Sequence, residues 1–162
     1  MIVQRKASSR SAFAPSIGAV LFAMLASASA ADEQQALEEH RALWQQAGLD
    51  AYVYAYNKFC ECHPETPPET YVTVRGGEVV DVRHKPFGYE HYVQAEARNF
   101  EWYWTIDQLF DLAGNALDRG SVVRLEFDSE LGFPTHVFID HDENLIGDAV
   151  DVRVTQVRPA EE

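Results

Sequence analysis

The chemistry-bearing residues with the closest spacing are two cysteines, Cys60 and Cys62, in a chain of 162 residues. At a rise of about 3.3 Å per residue, positions i and i+2 of a strand share one face and lie roughly 6.6 Å apart. This separation is near the upper limit for a disulfide, so a bridge requires the strand to bend. The spacing also differs from the C-x-x-C motif that lowers a thiol pKa. We predict a Cys60–Cys62 disulfide, with redox chemistry, metal binding and two free thiols as the alternatives.

A second candidate site is an acidic turn in the C-terminal third. Asp140, Asp142 and Asn144 repeat the spacing of positions 1, 3 and 5 of an EF-hand loop. Leu145 stands where an EF-hand requires glycine, and strands rather than helices are predicted on both sides, so an EF-hand is excluded. Two interpretations are left: a looser cation site, or a turn in which the Asp and Asn side chains bond their own backbone.

Other catalytic patterns are missing from the sequence. The histidines lack the H-x-x-x-H and H-E-x-x-H spacings of zinc sites; they are His40, His63, His84, His91, His136 and His141. Ser121 and Ser129 lie in predicted turns with no base beside them in the sequence, and no nucleophile elbow or phosphate-binding loop is found. We therefore expect no resident cofactor.

The third candidate is an aromatic segment before the second predicted helix. Its rings belong to Phe100, Trp102, Tyr103 and Trp104. Packed on a sheet, they would form part of the core. Exposed, they would form a patch of the kind that supplies hot spots for binding a protein.

The elements that position these candidates begin with a helix. Apolar residues spaced three and four apart predict a helix over residues 32–46, which ends before Gly48. Residues 52–56 alternate tyrosine with smaller residues and predict a strand. Residues 71–74 and 79–82 predict a hairpin around a glycine pair.

The second half of the chain repeats this order after an irregular stretch. Residues 85–104 predict a loop with a short helix around residues 93–98. Thr105 and Gln108 have the spacing of a capping box at the start of a second helix. Runs of β-forming residues predict three further strands, over residues 122–127, 134–139 and 150–157.

The element order is therefore α-β-β-β-α-β-β-β. We predict an α+β fold with an antiparallel sheet of about six strands and two main helices on one face. Local similarity between residues 69–74 and 134–139 further predicts a degenerate duplication of an α-β-β-β unit.

Several of these segments together resemble a known family. They are the tyrosine-rich strand ending in Cys60-Glu61-Cys62, the hairpin over residues 72–79, the capped segment 105–110, and residues 131–135 followed by Ile139 and Asp140. In these segments the chain resembles the domain of unknown function 6174 family of small exported bacterial proteins. The resemblance implies an extracytoplasmic location and no particular activity. The doubled order also resembles, more loosely, the β-lactamase inhibitor protein and PepSY modules.

The first 30 residues have the organisation of a secretory signal. Arg5, Lys6 and Arg10 precede a short apolar run over residues 17–25, and Ala28-Ser29-Ala30 is a small-residue cleavage site. The apolar run is shorter than the roughly 20 residues that a membrane-spanning helix needs. We expect a signal peptide over residues 1–30, a single domain over residues 31–162, a periplasmic or secreted location, and no membrane insertion after cleavage. An oxidising compartment favours the disulfide.

Charge excludes some partners. The chain has 13 Lys and Arg against 26 Asp and Glu, and cleavage would remove three of the basic residues, which gives 10 minus 26, or −16. Nucleic acid and anionic membrane surfaces would repel such a protein. We predict an exported, non-enzymatic binding or inhibitor-like module that holds a protein partner on its sheet face or on residues 85–104. The alternative is a thiol-based oxidoreductase that uses Cys60 and Cys62.

Overall fold

The structure, a computed structural model, describes residues 30–60, 69–142 and 144–161. The predicted signal peptide, Cys62 and the side chain of Cys60 lie outside the described part. The helices and strands are α1 (Ala30–Ala47), β1 (Ala51–Cys60), β2 (Thr70–Arg75), β3 (Glu78–His84), β4 (Val93–Gln94), a 3-10 helix (Ala97–Trp102), α2 (Ile106–Asp118), β5 (Val122–Phe127), β6 (Pro134–Asp140) and β7 (Val150–Pro159).

The seven strands of the described residues form one antiparallel sheet in the order β4-β3-β2-β1-β7-β6-β5. Two helices accompany this sheet, which confirms the α+β prediction. Strands β1 and β7 lie next to each other at its centre. Within the described ranges, no helix is long and apolar enough to cross a membrane.

Two details of the predicted order are wrong. The sheet has a seventh strand, β4, in the segment that was expected to be a loop with a short helix. Only two residues pair there, Val93 with His84 and Gln94 with Arg83, and so short a strand leaves no alternation to detect. The 3-10 helix begins four residues later, at Ala97.

The predicted duplication is also wrong. In a doubled α-β-β-β unit, β1 and β5 would be equivalent strands, but β1 is central and β5 forms an edge of the sheet. The central pair instead joins the first strand of one half to the last strand of the other. The similarity between residues 69–74 and 134–139 therefore reflects a shared local preference for strands.

The core is organised by three tyrosines on one face of β1. Tyr52, Tyr54 and Tyr56 are at most 2% exposed because alternate residues of a strand share a face. The Tyr52 hydroxyl accepts a hydrogen bond from the Ile106 backbone N–H at 3.1 Å, and the Tyr54 hydroxyl donates to the Trp104 carbonyl. Burial raises the pKa of Tyr52 to about 12, although the bond from Ile106 opposes the shift. The tyrosine row thus fixes where α2 begins.

Helix α2 begins with the predicted capping box. The Thr105 side chain accepts from the Gln108 backbone N–H at 3.2 Å, and the Gln108 side chain accepts from the Thr105 backbone N–H at 2.9 Å. The reciprocal bonds satisfy two donors that a helix start would leave open. Leu109, Phe110 and Ala113 are fully buried, so this helix supplies much of the layer that covers the sheet.

Helix α1 packs beside α2 and against the turn between β5 and β6. Arg41 of α1 forms an ion pair with Asp111 of α2 at 2.8 Å, and the Trp44 ring meets the Phe133 ring edge to face. Gly132 has φ +80°, and a Cβ there would lie 2.5 Å from the His40 carbonyl oxygen. The close approach of α1 to this turn therefore requires glycine.

We expect Gly132→Ala to destabilise the protein much more than Gly120→Ala. Both glycines have positive φ, but a Cβ at Gly120 would meet no heavy atom within 4 Å. The control should cost only the left-handed penalty of about 1–2 kcal/mol. Gly132→Ala should cost about 1–3 kcal/mol more, because the helix backbone must shift. Urea denaturation of the two variants measures the difference, and equal free energies of unfolding would contradict the packing of α1.

Candidate binding groove

One face of the sheet carries the helices, and the other face is uncovered. Buried side chains alternate with more exposed ones along β2, where the pattern from Thr70 to Arg75 runs buried, half-buried, buried, half-buried, buried, exposed. Across the strands, Thr73 lies opposite both Val53 and Asp81, so these three side chains share the uncovered face. The helical layer packs on the opposite side, against the tyrosine row.

A groove of about 680 Å³ lies on this uncovered face, over the half of the sheet formed by β1 to β4 and the end of β7. Val53 and Val80 contribute apolar surface to its lining. Val80 is exposed because β3 has a register shift between its pairings with Thr73 and Val74. The volume is within the range of about 300–1,000 Å³ that is usual for ligand pockets.

Three arginines line the groove: Arg75 from β2, Arg83 from β3 and Arg158 from β7. Arg83 binds Asp81 through Nε at 2.8 Å. Arg75 donates from Nη2 to a backbone carbonyl, that of Glu161, at 2.6 Å. The Arg158 side chain has no hydrogen bond or ion pair to another residue in the described part of the chain.

A bulge in β7 turns Arg158 toward the groove. Val53 pairs with Arg158 but Ala55 pairs with Thr155, so two residues of β7, Gln156 and Val157, lie opposite the single residue Tyr54. One of them, Gln156, has φ +57°, a left-handed conformation that is uncommon outside glycine. Val157 consequently packs against the core. Without the bulge, simple alternation would point Arg158 into the helical layer.

Two tyrosines form one wall of the groove. The rings of Tyr71 and Tyr92 meet edge to face, with centroids 5.7 Å apart. The Tyr92 hydroxyl donates to the Glu69 carboxylate at 2.9 Å, and the Tyr71 hydroxyl donates to the Gln156 side chain at 3.3 Å. The bond to Glu69 raises the pKa of Tyr92 to about 12. Both rings are held in place by bonds at their hydroxyl ends.

The other half of the uncovered face carries a network of polar and charged side chains that contact one another. His136 Nε2 lies 3.1 Å from Asp151, and His136 Nδ1 lies 3.8 Å from Glu126. Arg153 approaches the same Asp151 oxygen at 3.6 Å. These four side chains contact one another, whereas Arg124 in the same half faces the Phe138 ring at 4.3 Å.

A serine and a histidine meet at one end of the sheet, which the sequence did not indicate. Ser121 Oγ lies 3.4 Å from His141 Nδ1, although the two residues are 20 positions apart. Pairing of Val122 with Asp140 brings them together across β5 and β6. His141 is exposed and Ser121 is half-buried, and the distance is long for a hydrogen bond.

The predicted cysteine site cannot be placed, because Cys62 and the side chain of Cys60 lie outside the described residues. Near that end of β1, Lys58 is only 9% exposed. Its amine donates to the Trp102 carbonyl at 3.3 Å and faces the Trp104 ring at 4.8 Å. Burial lowers the pKa of Lys58, and the aromatic segment covers it.

In the acidic turn, the Asp142 side chain accepts hydrogen bonds from within the turn itself. Asp142 accepts from the backbone and side-chain nitrogens of Asn144 at 3.0 and 2.9 Å, and these bonds lower the pKa of Asp142. One Asp140 oxygen is buried with no partner among the described residues. In the described ranges, which leave out Glu143, no three His, Cys, Asp or Glu side chains are placed to hold a metal ion.

The four rings of the predicted aromatic patch do not lie together on the surface. Trp102 is 37% exposed, whereas Tyr103 is 8% exposed and packs edge to face against Tyr56. Phe100 and Trp104 are half-buried and pack against the core. The segment therefore covers the end of the tyrosine row, and Trp102 alone of the four is exposed.

The sequence predicted a binding surface on the sheet face or on residues 85–104, which include the groove residues Tyr92 and Gln94, but it did not indicate the three arginines. One signal was present: Tyr71 and Thr73 alternate with buried residues in a predicted strand, and Arg75 follows that strand directly. The bulge in β7 hid Arg158, because uninterrupted alternation would have placed Val157 on the uncovered face instead. Pairing between distant strands then brings the three arginines together.

Comparison with known proteins gives a family and no activity. Residues 36–159, about three quarters of the chain, match the model of a family of unknown function, DUF6174. Neither the curated proteins nor the solved structures contain a match to this chain.

We expect Gln156→Gly to stabilise the protein relative to Gln156→Ala by about 1 kcal/mol. Both variants lose the bond from Tyr71, but only glycine adopts the positive φ of the bulge without strain. Thermal and urea denaturation measure the difference. A more stable alanine variant would mean that Gln156 is not held in the left-handed conformation.

Proposed function

The chain belongs to the family of unknown function DUF6174, which supplies no activity, and we propose from the groove that it is a non-enzymatic binding or inhibitor-like module. The module holds an acidic, extended segment of a protein partner on the uncovered face of its sheet. The observation that carries this proposal is Arg158, which the β7 bulge turns into the groove with no partner among the described residues.

The arginines favour carboxylates as the bound groups. A guanidinium presents its donors in a planar fork that matches the two oxygens of a carboxylate. Arg83 is already oriented by Asp81, and Asp81 in turn accepts from the Gln94 side chain at 2.6 Å. A ligand carboxylate at this position therefore meets donors that are in place before it binds. Preorganisation of this kind lowers the entropic cost of binding.

The net charge of the chain favours a few carboxylates over a dense polyanion. Three arginines line the groove, but the whole chain has a net charge of −13. A polyanion would be repelled by the acidic residues on the rest of the surface, over a Debye length of about 8 Å at physiological salt. A peptide with one or two carboxylates can place them at the arginines and keep the rest of its length uncharged.

The lining also suits the side chains of a peptide. Val53 and Val80 offer apolar surface, and the Tyr71 and Tyr92 rings form a wall against which an aliphatic or aromatic side chain can pack. The groove is open along the sheet face, so an extended segment can enter it from the side. Apolar contact beside charged hydrogen bonds is the usual composition of a specific site.

We further propose that the protein acts in the periplasm or outside the cell. The support comes from the basic, apolar and small-residue regions of residues 1–30, which have the organisation of a secretory signal. The partner is then an exported or surface-exposed protein.

We expect Arg158→Ala to weaken binding of the partner by about tenfold or more, since a hydrogen bond to a charged group contributes about 1.5–3 kcal/mol. A photo-crosslinking residue at the exposed Val80 would capture the partner from an extract of the cells that make the protein. The purified partner would then be titrated against the intact protein and the variant.

Two controls make this test specific to the groove. The same crosslinker at Gln45, an exposed position on α1, should not capture that partner, and Arg119→Ala, which removes an exposed arginine at the end of α2, should leave its affinity unchanged. Capture from both positions, or equal loss of affinity with Arg119→Ala and Arg158→Ala, would rule the groove out as the binding site.

A further inference from the structure

The groove contains part of the chain itself. Beyond β7, Ala160 and Glu161 contribute to its lining. The Ala160 backbone N–H donates to the Ala51 carbonyl at 3.0 Å, and the Glu161 carbonyl accepts from Arg75 at 2.6 Å. Together we call these two residues the tail segment. The tail segment thus lies in the groove and occupies one of its three arginines.

We propose that the tail segment is a built-in competitor, which a bound partner segment must displace from Arg75. The proposal rests on the proposed function and adds a form of regulation to the same site. The partner segment gains Arg158 and Arg83 on binding but reaches Arg75 only when the Glu161 carbonyl leaves it. The tail segment therefore lowers the affinity of the intact protein.

The tail segment is held by few interactions, so it can be displaced. Two hydrogen bonds connect it to the rest of the described chain, one through Ala160 and one through Glu161. Ala160 is half-buried and Glu161 is exposed. Segments with exposed backbone hydrogen bonds and little apolar burial open at low cost compared with core strands. A ligand that offers Arg75 a carboxylate in place of a neutral carbonyl also makes the stronger bond.

The test uses a labelled, blocked pentapeptide with two glutamates around a central phenylalanine. Fluorescence anisotropy would give its Kd for four chains: the intact protein, a chain that ends at Pro159, and each of these with Arg75→Ala. We expect the shortened chain to bind about fivefold more tightly, because Arg75 is then free to make a charged hydrogen bond. Arg75→Ala should weaken the shortened chain about fivefold and the intact chain less than about twofold.

A second variant covers the case in which the shortened chain does not fold. Ala160→Pro keeps every residue but removes the N–H that donates to Ala51. It should also tighten binding of the peptide. Melting temperatures equal to that of the intact protein would show that the sheet is undisturbed.

The outcomes separate this inference from the proposed function. Equal Kd values for the intact protein, the shortened chain and Ala160→Pro would overturn the competitor role, even where Arg158→Ala still weakens binding and the groove stands. A peptide that binds none of the chains, or binds as well with glutamine in place of glutamate, would overturn the proposed function and the competitor together. Tighter binding by the shortened chain that disappears with Arg75→Ala would support both.

Discussion

The architecture depends on one constraint, the burial of the tyrosine row on the central strand. Tyr52, Tyr54 and Tyr56 bury their rings, and a buried hydroxyl without a partner is costly. The Tyr56 hydroxyl has no hydrogen-bond partner among the described residues, whereas those of Tyr52 and Tyr54 do. Backbone groups at the start of α2 provide partners: the Ile106 N–H for Tyr52 and the Trp104 carbonyl for Tyr54. This requirement draws the helical layer to one face of the sheet, and the opposite face is left uncovered as a consequence.

The uncovered face divides into two halves with different electrostatics. Around β5, β6 and β7, side chains contact one another, as Arg153 does with Asp151. Around β1 to β4, Arg83 binds Asp81 through Nε, and Arg75 donates a hydrogen bond to the Glu161 carbonyl. The side chain of Arg158 has no partner among the described residues. In a chain of net charge −13, these arginines stand beside the apolar surface of Val53 and Val80, and the proposed carboxylate-binding groove rests on this arrangement.

Local patterns predicted the helices and most strands, because alternation and capping are encoded by neighbouring residues. The box of Thr105 and Gln108 and the strand from Val122 to Phe127 were both predicted correctly. Features that depend on distant pairing were not predicted. Strand β4 exists only because β3 pairs with it, and the direction of Arg158 depends on a bulge opposite Tyr54. The groove joins residues from β2, β3 and β7, so no local motif could reveal it.

The most direct test of the groove is a map of where an acidic peptide binds. Proton–nitrogen NMR spectra of the labelled protein would be recorded during titration with the glutamate-containing pentapeptide and with its glutamine counterpart. The account predicts that the amides of Val53, Thr73 and Arg83 shift with the first peptide only, while those of α2, including Asp111, stay in place. Shifts centred on the helices, or equal shifts with both peptides, would contradict a carboxylate-binding groove on the uncovered face.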